Sequence, residues 1–453
     1  MDTISITYKV NVSGVLVGYL IRHETGQVAF RFDEKYWTLN QRPVLGQKFE
    51  DDRREIYRGR NRNLPAFFAN LVPEGQMRTL ITHSLGIDES DELALLNATG
   101  DDLPGAITIS PANEFLPFPM AAENNNGHVD SFQSQNKLNV EPLKLRFSLA
   151  GVQMKFSVIH ENAKLLLPAK NNLGHWIAKI DSLRFPRLTE NEFAIMEWAR
   201  AAGFNVPECI LLGNEALPEN LRDRAPENSK VFLIKRYDRI KNERIHQEDF
   251  AQVLFQMPEK KYDYASYEFC ARLVLNICGR EGYKEFLRRL VLMVASGNVD
   301  AHLKNWSLLY PDGVNATLTP LYDQVCTIAW PNTGLDMRWA LTFMKRRDLF
   351  VTDESLFASL IKASGGDLIS DMKLVRETLI NIAEAWSRRR YPKSFINKLI
   401  ESDGELSETT VWLDFSKDHG YLAFEKHQYF IDKYNEVGRM LNGMIISPEK
   451  FCY

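Results

Sequence analysis

The alternation of apolar and polar positions divides the chain into regions of different character. ISITYKVN (4–11) and VLVGYLI (15–21) alternate in part, carry β-branched and aromatic residues and are split by Ser13-Gly14, which predicts a hairpin. VAFRFDEKYW (28–37) predicts a further strand, 64–85 and 88–97 predict helical stretches, and GDDLPGAITIS (100–110) a turn running into a short strand. Over 111–138 the periodicity disappears and Pro, Asn, Gln and Ser dominate. A linker is therefore placed at 111–140, behind an N-terminal α/β subdomain of residues 1–110.

From 141 to 240 strand patterns return. KFSVIHE (155–161) and AKLLLPAK (163–170) predict a hairpin, HWIAKI (175–180) a short strand, and PECILLG (207–213) and KVFLIKRYDR (230–239) two more. Between them, Thr189-Glu190-Asn191-Glu192 reads as a capping box opening a helix that Gly203 ends. Phe193, Ile195, Met196, Ala199 and Ala202 give that helix a buried face. From 241 to 453 helical periodicity prevails, at 247–257, 264–280, 281–296, 353–364, 369–389, 393–401 and 426–442. One hairpin, NWSLLYPDGVNATLTPLYD (305–323), interrupts it. The predicted fold class is α+β, with a small β-rich lobe at 141–240 and a mainly helical C-lobe at 241–453.

Composition changes this picture little. At 453 residues the chain is too long for one compact core, so two or three domains are expected. A net charge of −4 gives no support for a chain-wide basic nucleic-acid surface. The five cysteines form no C-x-x-C pair, so neither a disulfide scaffold nor a structural zinc site is expected. MDTISITYKVNVSG lacks the basic stretch and apolar core of a signal peptide, and LVLMVASG (290–297) falls far short of a membrane span. The expected compartment is the cytoplasm, without membrane association.

The candidate chemistry lies in the hairpin and the loop before it. Phosphoryl transfer needs a carboxylate near the attacking hydroxyl, oxygen ligands for magnesium and a cation on the phosphates. Asp300 in SGNVDAHLKNW is followed five residues on by Asn305, and Asp323 closes the hairpin. A ribbon folded at Pro311-Asp312-Gly313 returns Asp323 beside Asn305, so both oxygens can meet one hard cation. The same three residues also suit ordinary loops and turns. Upstream, Lys179 lies in an apolar strand, where a charge is costly unless paired. Glu192 is a possible partner, although position N3 of a capping box explains a Glu by itself, and an edge-strand Lys facing water explains Lys179. SLAGVQMK (148–155) offers a flexible Gly151 and Lys155 just before a strand, where backbone amides can approach phosphate. It is not a Walker A sequence.

SLAGVQMKFSV, NEFAIMEWARAAGFNVP, FLIKRYDR, HQEDFAQVL, GNVDAHLKNWSLLY and LTPLYD, with FFANLVPEGQMR (67–78) and LLNATGDDLPGAITI (95–109), together resemble the HipA family of bacterial toxin–antitoxin serine/threonine kinases. The resemblance covers nearly the whole chain. It implies a protein-kinase-like bilobal core using ATP and Mg²⁺, with Asp300 as the catalytic base or hydroxyl-positioning carboxylate and Asn305 and Asp323 on magnesium. It places Lys179 on the ATP phosphates, His302 near them, and the backbone around Lys235 and Tyr237 on the adenine. Gly151, Gln153 and Lys155 follow the family's ATP loop, and Ser148 matches its autophosphorylated serine. Lys235 departs from the acidic residue often found there. The implied partners are a HipB-like DNA-binding antitoxin, through which any DNA contact would run, and a protein substrate of the aminoacyl-tRNA synthetase class. The rival readings are a catalytically silent antitoxin-binding co-repressor and a small-molecule kinase.

Overall fold

A computed structural model describes residues 5–113, 116–119, 153–162, 164–168, 173–181, 183–241, 243–330, 338–349, 352–389, 407 and 409–446. Ser148, Gly151, most of the 111–140 segment and the helix expected over 393–401 lie outside these residues. Two compact units are present, the first holding nearly everything up to Glu377 and the second Thr378–Tyr453 with Ala201–Gly203.

The first unit begins with a five-stranded antiparallel sheet in the order β4-β3-β2-β1-β5. Its strands are β1 Ile6–Val12, β2 Val15–Arg22, β3 Val28–Phe32, β4 Ile56–Arg58 and β5 Ile107–Pro111. The β1–β2 hairpin turns on Ser13 and Gly14, both at positive φ. Short helices Ala66–Ala69, Gly75–Leu85 and Glu92–Thr99 follow β4. Five strands also form the next sheet, β7-β6-β8-β10-β9, from β6 Lys155–Glu161, β7 Lys164–Leu166, β8 Trp176–Ile180, β9 Cys209–Gly213 and β10 Lys230–Lys235. Both sheets feed one continuous core, in which Phe30, Phe67 and Phe68 belong to the same buried cluster as Phe156, Val158 and Leu233.

Buried charge reinforces that seam. Arg236 and Arg239, both almost wholly buried, each pair with Asp102 from the first region and with Asp238. Arg244, in the small ribbon of β11 Arg239–Ile240 and β12 Glu243–Arg244, adds bonds to the carbonyls of Leu103, Gly105 and Ile107. Every charge in the network is met by an opposite charge or a carbonyl, which such burial requires.

The rest of the first unit is mainly helical, giving the expected α+β arrangement of a β-rich lobe followed by a helical one. Tyr267–Ser296 is the long element, capped by Ser266, broken by non-helical backbone at Gly279 and ended by Gly297 in the left-handed region. The two helices expected at 264–280 and 281–296 are its two halves. Helix Glu354–Ser364 packs beside it. Three expectations need correction. The helix expected from 247 is instead β13 His246–Asp249, paired with β14 Ser307–Tyr310, and only Phe250–Val253 is helical. An unexpected hairpin, β16 Arg338–Phe343 with β17 Arg346–Asp348, lies between the helices. The helix expected to open at Thr189 begins at Leu188, and its cap is the Asp181 carboxylate, which accepts from the Thr189 N–H at 2.9 Å.

The second unit is helical where described. The helix Leu368–Arg389 contributes its residues from 378 onward, 409–418 are helical, and Phe424–Ile446 closes the described chain. His427 Nε2 bonds Asp414 Oδ1 at 2.7 Å across the turn between the last two stretches. No helix of the described residues is long and apolar enough to cross a membrane.

Candidate active site

Asp300 sits on a loop whose shape its own backbone enforces. After Gly297 turns the chain out of the long helix, Asn298 Oδ1 accepts from the Asp300 N–H at 3.2 Å. The Asp300 carbonyl then takes the His302 N–H at 2.7 Å and the Asn305 side-chain amide at 2.8 Å. Tyr267 and Trp306 both donate to the Ala301 carbonyl, and Val299 N–H donates to Thr327 Oγ1 at 2.7 Å. The loop is therefore held from four sides. Because the Asn305 amide nitrogen is committed to Asp300, its side-chain oxygen is left as the group available to a cation.

The hairpin of β14 and β15 Thr317–Leu318 carries the chain to Asp323, as its turn residues predict. Asp323 has φ +52°, a left-handed conformation that costs a non-glycine residue energy and is maintained by its surroundings. Those surroundings are cationic. Lys155 and Lys179 stand directly opposite each other on β6 and β8, so both side chains leave the same face of the sheet. Lys155 Nζ reaches Asp323 Oδ2 at 2.8 Å, and Lys179 Nζ pairs with Asp323 Oδ1 and with Glu192 Oε1. Burial would raise the Asp323 carboxyl, but the two lysines overcome it and hold it well below the usual carboxylate range. Lys179 is only 3% exposed; burial would lower its ammonium pKa, yet Asp323 and Glu192 hold it above the ordinary value.

Lys179 is thus neither solvent-facing nor on an edge, since β8 is the central strand of its sheet. Glu192 is no capping residue. It is completely buried, and its partner is Lys179.

Two adjoining cavities meet at this cluster, both lined by Lys155, Lys179, Lys304 and Asp323. The first extends past Ile177 and Ile234 to Lys235 and Tyr237. The second, about 360 Å³, brings together Asp300, His302 and Asn305 with Gln153. Asp300, Asn305 and Asp323 therefore face one space. Gln153 Nε2 donates to the Ile180 carbonyl at 3.3 Å. At the far end of the first cavity the Lys235 ammonium pairs with Glu208 at 3.0 Å, and the Tyr237 hydroxyl donates to Gln247 Oε1 at 2.6 Å. The N–H groups of Lys235 and Arg236 are already bonded, to the carbonyls of Glu208 and His175.

His302 is buried, and that burial, only partly countered by Asp300, pushes its imidazole down to about 4. It is neutral at neutral pH, and among the described residues its Nδ1 has no hydrogen-bond partner. Protonation of the unfolded state below about 6.5 should then cost native stability as pH falls toward about 4, by at most about 3 kcal/mol. Urea-unfolding midpoints at a series of pH values measure this. His302→Gln should flatten the slope in that window; an unchanged slope would contradict the buried, neutral assignment.

Sequence reasoning missed Tyr262, Glu74, Lys261 and Lys304. The Tyr262 hydroxyl donates to Asp300 Oδ1 at 2.8 Å, and its ring meets His302 edge-on at 4.9 Å. Burial and the charge of Asp300 raise the Tyr262 phenol, so it stays a donor. Glu74 pairs with both Lys261 and Lys304. Glu74 lies within FFANLVPEGQMR, a stretch already singled out, but no local pattern marks it or Tyr262.

Among the described residues no group of three or more His, Cys, Asp or Glu gathers as a metal site. Magnesium with a nucleotide does not require one, because phosphates and water fill most of its octahedron. An ionised Asp323 and the side-chain oxygen of Asn305, which lines the same cavity, suit that sparse role.

Comparison with known proteins places the chain in a family. The family model described as HipA-like C-terminal domain matches residues 147–387, and the HipA N-terminal domain model matches 8–110. A further model, 23S rRNA-intervening sequence protein, matches 378–443, within the second compact unit. A Sinorhizobium fredii protein named "Putative kinase Y4dM" is 33% identical over 417 residues, covering 90% of this chain and 98% of the relative. Shewanella oneidensis "Serine/threonine-protein kinase toxin HipA" is 26% identical over 293 residues, 59% of this chain and 64% of its own length. The solved Shewanella oneidensis complex of HipA, HipB and operator DNA contains a chain of the same fold, with TM-score 0.62 at 21% identity over 83% of this chain and 90% of that one. By sequence and by architecture, this chain belongs to the HipA family.

Proposed function

We propose that this chain is an ATP- and Mg²⁺-dependent serine/threonine protein kinase acting as the toxin of a HipA–HipB-like module. The observation that carries the reading is the convergence of Asp300, Asn305 and Asp323 on a cavity walled by the Lys179–Glu192 pair. Asp300 would orient the attacking hydroxyl and accept its proton. Asn305 and Asp323 would hold Mg²⁺, which when bound neutralises charge on the transferring phosphoryl group. On nucleotide binding, Lys155 and Lys179 would turn from Asp323 toward the phosphates. His302, neutral, would line the phosphate site beside Gln153. With the N–H groups of Lys235 and Arg236 committed, adenine contacts would fall to carbonyls of this segment and to Tyr237. Lys235 is then tolerable in place of an acid, because its ammonium points to Glu208.

Three further elements rest on the resemblance: the ATP loop with Gly151, autophosphorylation at Ser148, and a translation component such as an aminoacyl-tRNA synthetase as substrate. A dianionic phosphate on Ser148 would be repelled from the triphosphate site, which would switch the enzyme off. A HipB-like antitoxin would hold it inactive and supply the DNA contact. Incubating purified protein with γ-labelled ATP, Mg²⁺ and cell lysate tests the proposal. Label is expected on Ser148 and on a lysate protein. No protein label at all would favour a silent co-repressor, and label confined to metabolites would favour a small-molecule kinase.

A further inference from the structure

Two lysines that line the cavity holding Asp300, Lys261 and Lys304, are met by a carboxylate from outside the kinase-like core. Pro73-Glu74-Gly75 leads into helix Gly75–Leu85, with Gly75 at φ +54°, a left-handed backbone that favours glycine. This turn carries the Glu74 carboxylate to the catalytic loop. There Oε1 binds Lys304 Nζ at 2.7 Å and Oε2 binds Lys261 Nζ at 2.8 Å. The Lys304 ammonium also donates to the Asn70 carbonyl at 3.0 Å.

Each lysine is the immediate neighbour of a residue that acts on the centre. Lys261 precedes Tyr262, whose hydroxyl holds Asp300, and the Lys261 carbonyl accepts from Leu303 N–H at 3.2 Å. Lys304 precedes Asn305. One carboxylate thus ties together the two strands of chain that orient the proposed base and the proposed metal ligand. We propose that Glu74 is a positioning residue through which the N-terminal subdomain completes the catalytic centre, so that the subdomain is a working part of the kinase. This role rests on the kinase reading.

The energetics support it. The two lysine side chains are 9% and 5% exposed, and Glu74 is the carboxylate that both ammonium groups meet. Burial would raise the Glu74 carboxyl, but Lys304 and Lys261 hold it down to about 2, so it stays anionic across the physiological range. Removing its charge leaves two close ammonium groups facing a cavity proposed to hold phosphates. They would repel each other, shift Tyr262 and Asn305, and turn toward the nucleotide.

The expected signature is a split in the kinetics. Glu74→Gln should lower kcat roughly tenfold to 100-fold, because small misplacement of reacting groups is costly. KM for ATP should be unchanged or lower, since the freed lysines attract phosphate. Tyr262→Phe removes only a hydroxyl and should lower kcat in the same direction with the fold intact. Both variants are assayed in the full-length chain alongside the wild type, with thermal melting and nucleotide titration on the same samples. A Glu74→Gln variant with wild-type kcat would overturn the role. So would a kcat loss matched by loss of ATP affinity, which is what simple distortion of the cleft would produce. A wild-type chain that transfers no phosphate would sink the kinase reading first; transfer by the wild type with an unaffected Glu74→Gln variant would sink the positioning role alone.

Discussion

Asp300→Asn is expected to lower phosphoryl transfer by about 100-fold to 10,000-fold while leaving the melting temperature within a few degrees of wild type. The loop around Asp300 is fixed by its backbone carbonyl and by Ala301, Asn298 and Thr327, none of which the substitution alters. Among the described residues, one side-chain hydrogen bond to the carboxylate, from Tyr262, changes character. Asparagine can still accept that bond through its oxygen, but it cannot take a proton from the incoming hydroxyl. Initial rates with labelled ATP, alongside a melting curve, separate chemistry from folding. A variant transferring at the wild-type rate would remove Asp300 from the mechanism.

Lys179→Met should harm both stability and activity. Its ammonium is shared between Glu192, which is fully buried, and Asp323. Breaking a buried pair by deleting one partner costs about 3–5 kcal/mol, because a charge is left stranded. For a unit of this size that corresponds to a fall of roughly 10 °C in melting temperature. Lys179→Met with Glu192→Met replaces the pair by apolar groups and should recover most of the stability, yet recover none of the transfer. Wild-type melting in the single variant would mean that the pair is not buried as described. Recovered transfer in the double variant would mean that Lys179 has no part in phosphate binding.

The residues differ in how far local pattern could reveal them. The convergence of Asp300, Asn305 and Asp323 was legible, because a turn in an alternating ribbon fixes where its ends meet, and one cavity is lined by all three. The hairpins of both sheets were legible for the same reason of period and turn chemistry. Glu192 was misread in part: Thr-x-x-Glu is a valid local cap, but Asp181 supplies the cap and leaves Glu192 to a tertiary ion pair. The strand His246–Asp249 was hidden because Phe250–Val253 continues its apolar spacing as a helix, and only pairing with Ser307–Tyr310 distinguishes them. Tyr262 and Glu74 were invisible in principle, since each acts on a partner set only by the fold.

A nucleoside triphosphate and its cation are expected to occupy the joined cavities, with the lysines exchanging Asp323 for phosphate. A crystal structure of the wild-type chain grown with a non-hydrolysable ATP analogue and Mg²⁺ tests this most directly. The expected result is adenine beside Tyr237, phosphates on Lys155 and Lys179, and a cation on Asn305 and Asp323, with the terminal phosphate facing Asp300. A nucleotide bound elsewhere, or a cleft in which Lys179 keeps Asp323 while the analogue is excluded, would contradict the account.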